Sequence, residues 1–246
     1  MTTMTPQLTR RKYRMAIDQF SGLLSFFRWW ILAIVIVVIL AATITGQFIT
    51  LDSSWWGNLL SGARFAVAIM AGVMVYEYIA TATVTGVTRR EFGIAQLWCN
   101  ILLAMALAVL ATVGLVIEHL IFSAAGWTHP SPTLESDAGM NNIGEVLGSA
   151  SLYFVAFPFV VMVGFIIGCS FYRNGILGSV LIIPVLFIAI TLQGTQFDNS
   201  IVFFGLFNVP PISLPLVVAS SIVFTVLFAW LAVIFISNSD IRNSDE

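Results

Sequence analysis

Apolar positions in this chain fall in long blocks separated by short polar stretches. The blocks cover roughly 29–50, 60–83, 94–117, 147–169, 175–193 and 214–237. Each is near the ~20 residues that an α-helix needs to cross the hydrocarbon core. The pattern predicts an all-α membrane protein with six transmembrane helices. The second block is the least apolar, because it contains Glu77. The fifth is short and holds Pro184, which removes one helical hydrogen bond and predicts a kink.

Residues about 8–28 follow a different rule. Tyr13, Ile17, Phe20, Leu24 and Phe27 recur at three- and four-residue spacing, and Arg10, Arg11, Arg14 and Asp18 fall on other faces. With Lys12, this makes a basic amphipathic helix, expected to lie along the inner interface before turning into the first span. A plain topology signal reads the same residues equally well. The layout is then a lead-in at 1–28, a membrane domain at 29–237 and a tail at 238–246. The segment 123–146 is polar and rich in Ser, Gly, Pro and Asn, as an external loop should be. Ile201–Phe207 is apolar but too short to cross. A re-entrant or interfacial element and an ordinary loop are both open there.

Composition strengthens the membrane reading. Hydrophobic residues make up 59% of the chain and charged ones 9%, against roughly 25% charged in ordinary globular domains. The 246 residues accommodate the spans but not an added soluble enzyme domain.

The distribution of charge sets an orientation. Of the ten basic residues, Arg10, Arg11, Lys12, Arg14, Arg28, Arg89, Arg90, Arg173 and Arg242 share one side if the spans number six. Only Arg64 falls near the other side. Asp52, Glu118, Glu135, Asp137, Glu145 and Asp198 lie opposite. The positive-inside rule puts both termini in the cytoplasm of a multi-pass plasma-membrane protein. Trp29, Trp30, Trp55 and Trp56 sit at span ends, where indole rings anchor in the headgroup layer.

Chemistry is conspicuous by what is missing. Lys12 is the only lysine and follows Arg11 in a Gly-free tail, so the chain has no Walker A loop. His119 and His129 form no metalloprotease pattern, and no GxSxG occurs. Cys99 and Cys169 read as small core residues. No enzymatic activity, resident metal or cofactor, or nucleic-acid partner is expected.

One segment does carry a signal. Between the second and third spans stands Gly86-Val87-Thr88-Arg89-Arg90-Glu91-Phe92. Gly86 can end the preceding helix, and Thr88 with Glu91 has the spacing of a capping box. A short helix lying across the inner face is expected, although a charged turn that only sets topology fits as well. After a polar second span, this stretch resembles the coupling segment of permease subunits of type-2 ABC exporters. The cytoplasmic termini, basic lead-in and apolar outer hairpin before the last span are similar too. Phe171-Tyr172-Arg173-Asn174-Gly175 resembles the second short inner loop of that family.

The resemblance implies that Gly86 to Phe92 dock into a separate cytoplasmic ATPase, which carries the ATP and Mg. It also implies a second permease half, identical or homologous, facing this one across a path that alternates between inward- and outward-open. Tyr172, Arg173 and Asn174 would form the second inner contact. No residue indicates the substrate. The alternative is an accessory or scaffold subunit of a larger membrane complex.

Two features stand apart from the resemblance. Glu77, flanked by Tyr76 and Tyr78, is an intramembrane acid about two turns from the inner end of its span. It is either a cation-binding or gating acid, or an interfacial residue paired with Arg89, Arg90 or the lead-in. Gly164 with Gly168, and Ala104 with Ala108, are small-xxx-small pairs expected to serve packing within the chain.

Overall fold

The computed structural model describes residues 6–45, 54–84, 86–126, 140, 142–174, 179–197, 202–203, 207–208 and 213–238. These form α1 (Pro6–Thr45), α2 (Trp55–Val84), α3 (Arg89–Ala125), α4 (Ile143–Ser151), α5 (Tyr153–Asn174), α6 (Ser179–Phe197), β1 (Val202–Phe203), β2 (Phe207–Asn208) and α7 (Leu214–Ser237). The chain is a helical bundle suited to a membrane. Among the described residues, four stretches are long and apolar enough to span it: Trp55–Ile79, Arg89–Ala125, Ile143–Arg173 and Leu214–Ser237.

The elements depart from the sequence pattern in four places. First, the lead-in and the first span are one uninterrupted helix, α1, with no turn near Arg28. No proline lies within it beyond its first residue, and Gly22 alone does not stop a helix. Its amphipathic half rests on the bundle. Met15, Ala16, Phe20 and Leu23 pack against Met70, Met74, Ala95 and Cys99 of α2 and α3. Tyr13 stands edge-to-face on Trp98, with centroids 5.9 Å apart. Leu32, Ile36, Val37 and Leu40, further along α1, are exposed.

Second, α3 starts at Arg89 and has 37 residues, ~55 Å at 1.5 Å per residue. It therefore absorbs the short inner helix expected after Thr88. It also absorbs the first residues of the expected outer loop, ending at Gly126 in the left-handed region, φ 71°. Third, the fourth span breaks at Leu152 into α4 and α5. Gly144, Gly148, Ser149 and Ser151 are weak helix formers, and Ser151 Oγ donates to the Gly148 carbonyl at 2.6 Å, competing with the helical ladder. Fourth, α5 continues to Asn174, so Phe171 to Asn174 are its last turn, not a loop. Pro184 lies inside α6, whose helix runs through it. The apolar segment after α6 forms an antiparallel pair, Val202 opposite Asn208 and Phe203 opposite Phe207.

Helix α5 is the hub. Phe157, Phe159, Val161, Met162, Phe165 and Cys169 are all buried although they face different directions; a helix apolar all round belongs inside a bundle. Its tightest neighbour is α2. Gly164 and Gly168 lie on the backbone of Ala68 and Gly72, and a Cβ placed on Gly72 would sit 3.0 Å from the Gly164 carbonyl oxygen. The pair Gly164/Gly168 is thus an internal packing surface, as its spacing implies. Its counterpart, Ala68 with Gly72, has the same four-residue spacing on α2. Away from this crossing, one core cluster joins the C-terminal half of α2 to α5, α6 and α7. The other joins the N-terminal half of α2 to α3, α4 and α5.

The two ends of the bundle differ. The α2–α3 turn and the C-terminal turns of α5 and α7 meet at one end, where Val87, Tyr172 and Phe235 pack on a common core. Asn142, which caps α4, stands near the other.

This geometry can be tested in two ways. Gly164→Ala should destabilise the bundle by about 2 kcal/mol through overpacking, read as a lower thermal or denaturant midpoint in detergent. Gly62→Ala, whose added Cβ meets nothing within 4 Å, is the neutral control. Single cysteines at Thr88 and Arg173 should react with an impermeant maleimide from the same side, and one at Asn142 from the opposite side. Labelling of all three from one side would contradict the packing.

Candidate functional site

The turn between α2 and α3 is built by two caps placed back to back. Helix α2 ends at Val84, and Gly86 takes φ +74°, which costs glycine little. The Val87 N–H then donates to the Ala82 carbonyl at 3.1 Å, the long-range bond of a Schellman motif. Val87 packs on the cluster that holds Ala82. Thr88 follows at once as N-cap, φ −70° and ψ 148°. Its Oγ1 accepts from the Glu91 N–H at 3.3 Å, and Glu91 Oε2 accepts from the Thr88 N–H at 3.1 Å and its hydroxyl at 2.9 Å. The capping box read from the sequence is therefore present.

The caps decide which residues face outward. Gly86, Thr88 and Arg90 are exposed, Val87, Arg89 and Glu91 are half-buried, and Phe92 is fully buried. Phe92 belongs to the core. The first turn of α3 packs inward, with Gly93 against Ile236 of α7. A surface helix across the inner face is replaced by a tight corner whose polar rim is Thr88 to Arg90.

Tyr172 and Arg173 reach the same end from α5. Tyr172 is edge-on to Tyr76 of α2, centroids 6.4 Å apart. The Arg173 guanidinium lies 5.3 Å above the Phe235 ring of α7, a cation–π contact. They tie α5 to α2 and α7. Asn174 closes α5; Gly175 lies outside the described residues. On α1, Lys12 is half-buried and Arg14 exposed, and Arg10 and Arg11 stand in its first turns. The tail from 239 onward and His129 fall outside the described residues.

Glu77 is exposed on α2 between exposed Tyr76 and Tyr78. Among the described residues no ion pair joins Glu77 to Arg89, Arg90 or the described side chains of α1; the side chains of Arg10 and Arg11 lie outside them. A charged side chain in hydrocarbon costs about 2.5–3.5 kcal/mol at a helix centre, so such residues face protein or water. Two grooves share it. One, of about 990 Å³, lies between α1 and α2 over α3. The other, of about 760 Å³, lies between α2 and α5.

The opposite end holds a site that the sequence hides. Glu118 is buried on α3, not set in a loop. Its carboxylate accepts from Ser54 Oγ at 2.7 Å and from the N–H groups of Trp55 at 2.8 Å and Trp56 at 3.2 Å. Ser54 Oγ in turn accepts the Gly57 N–H at 2.9 Å. An acid on one helix therefore caps the first turn of another, where the helix dipole favours negative charge. Tyr153 of α5 lies within electrostatic reach of both Glu118 and buried Arg64, whose Nη2 donates to Ser61 Oγ at 2.8 Å. Trp56 is buried rather than anchored in headgroups. Its ring covers Gly114, and its indole N–H donates to the Ala111 carbonyl at 3.1 Å. Trp29 is exposed and Trp55 half-buried, and the Trp30 side chain lies outside the described residues.

Deeper in α3, Gln96 Nε2 donates to Asn100 Oδ1 at 3.3 Å in a fully buried pair. Among the described residues no group of three or more His, Cys, Asp or Glu is placed to hold a metal. Comparison with protein-family models, curated proteins and solved structures gives no match.

Glu118→Ala should strip three donors of their common acceptor and lower stability by about 2 kcal/mol. Thr88→Ala, losing an exposed cap, should cost about 1 kcal/mol. Chemical denaturation in detergent compares the two, and a Glu118→Ala variant as stable as the parent would contradict the Glu118 cap.

Proposed function

We propose that this chain is the membrane-spanning permease subunit of an ATP-driven exporter of the type-2 ABC kind. It works with a separate cytoplasmic ATPase and with a second permease half, identical or homologous, by alternating access. The observation that carries the reading is the double-capped corner at Gly86–Glu91. It presents Thr88 and Arg90 at the end of the bundle where α2, α3, α5 and α7 converge. A partner pressing on this corner acts on two long helices at once. Through α2 the load reaches the glycine crossing with α5, and Tyr172 and Arg173 give a second contact at the same end.

In this reading the apolar half of α1 and helix α6 complete six spans. Helix α6 has 19 residues, ~28 Å at 1.5 Å per residue, close to the ~30 Å hydrocarbon core. The basic end, with both termini, faces the cytoplasm of the plasma membrane. Membrane lipids cover the outer faces. ATP and Mg sit on the partner, which agrees with the lone lysine of this chain. The burial of Phe92 favours a second reading, an accessory subunit whose corner only joins two spans.

Affinity capture separates the two. The tagged chain should retain an ATPase subunit, and Arg89→Ala with Arg90→Ala should cut that retention at least tenfold. Glu91→Gln should leave it near the parent level, because the amide keeps an acceptor for the cap. Full retention by the double variant would overturn the coupling role. Absence of any ATPase would favour the accessory reading.

A further inference from the structure

The cleft between α1 and α2 has the makings of a binding site. Helix α1 rests mainly on α3 and meets α2 only around Met70 and Met74, leaving beside that contact a space of about 990 Å³ with α3 as its floor. That is the upper part of the range of small-molecule sites, roughly 300–1,000 Å³. The walls are apolar along their length, from Phe27 and Ala66 past Met70 and Met74. Methionines conform readily to different shapes. From Ala66 to Glu77 the cleft follows α2 for ~16 Å.

Only its inner end is polar. Glu77 and Tyr78 stand there together, and no basic residue is among the described residues lining the cleft. Lys12, Arg14 and Arg28 of α1 do not line it. A carboxylate with no ion pair among the described residues, beside an aromatic ring and closing an apolar trough, is complementary to an organic cation. The carboxylate supplies the charge partner and the ring supplies a cation–π face. A zwitterionic phospholipid fits less well, since its phosphate would follow its ammonium toward the same carboxylate.

We propose that this cleft binds a lipophilic organic cation, its charge against Glu77 and Tyr78 and its apolar body along α2 and α3. The site needs only α1, α2 and α3 in a membrane. Loss of ATPase capture would leave it standing, and failure of cation binding would leave the permease reading standing.

The test uses the full chain in phosphatidylcholine nanodiscs and radiolabelled tetraphenylphosphonium. Saturable binding is expected, with affinity at least tenfold lower in Glu77→Gln and largely kept in Glu77→Asp. Tetraphenylborate, the same shape with opposite charge, should not compete. Ala106→Phe, which fills the floor without touching the acid, should also reduce binding at least tenfold, so the site is tested even if Glu77→Gln folds poorly. Binding within twofold of the parent in both Glu77→Gln and Ala106→Phe would overturn the proposal. So would equal competition by tetraphenylborate, the mark of a merely greasy groove. Cross-linking between copies through Ile69→Cys, with no cation bound, would assign the cleft to a second chain and overturn it as well.

Discussion

The contact on which the bundle depends is the close crossing of α2 and α5. Gly164 and Gly168 bring the backbone of the central helix onto that of Ala68 and Gly72. In lipid there is no hydrophobic gain from joining two apolar helices, so dispersion across a close backbone approach must do the joining. The rest is arranged around this line. Helices α3, α6 and α7 fill the remaining faces of α5, and α1 is left to rest on the outside, against α2 and α3. Because α2 presses one side on α5, its opposite side, with Ile69, Val73 and Glu77, is left toward the grooves.

Polar chemistry is sparse, and apart from Gln96 with Asn100 and Arg64 with Ser61 the polar contacts described here sit where helices begin and end. The α2–α3 corner satisfies its backbone with Gly86, Thr88 and Glu91. The N-terminal end of α2 is satisfied by a side chain from a different helix, Glu118. Both solve the same problem, since unpaired N–H groups at a helix start are costly once water is scarce. Glu77 belongs to neither arrangement. It is the acid whose environment the described helices leave incomplete, which is why the cleft beside it is of interest.

Local signals are legible in the sequence, and pairwise ones are not. The four spanning stretches, the glycine stop at Gly86 and the Thr88–Glu91 box each depend on a few neighbouring residues, and periodicity or spacing reveals them. Gly164 and Gly168 announce a packing surface, but their partners Ala68 and Gly72 look like any small residues of an apolar run. Glu118 reads as an outer acid because nothing local links it to Ser54, which lies 64 positions earlier. Trp56 reads as an interface anchor because its proximity to Gly114 is a tertiary fact. The continuity of α1 is hidden for a related reason. A switch from amphipathic to wholly apolar patterning marks a change of surroundings, and a helix can pass through such a change without breaking.

Helices α2 and α3 are fastened together twice. At one end a few residues with caps on both sides join them, and at the other the Glu118 carboxylate holds the first turn of α2. A hairpin pinned at its open end as well as its closed end has lost the freedom to splay. It can tilt, slide or turn only as a single plank. Any rearrangement of this protein that keeps both fastenings must therefore be taken up at the plank's edges, where it meets α5, α7 and α1.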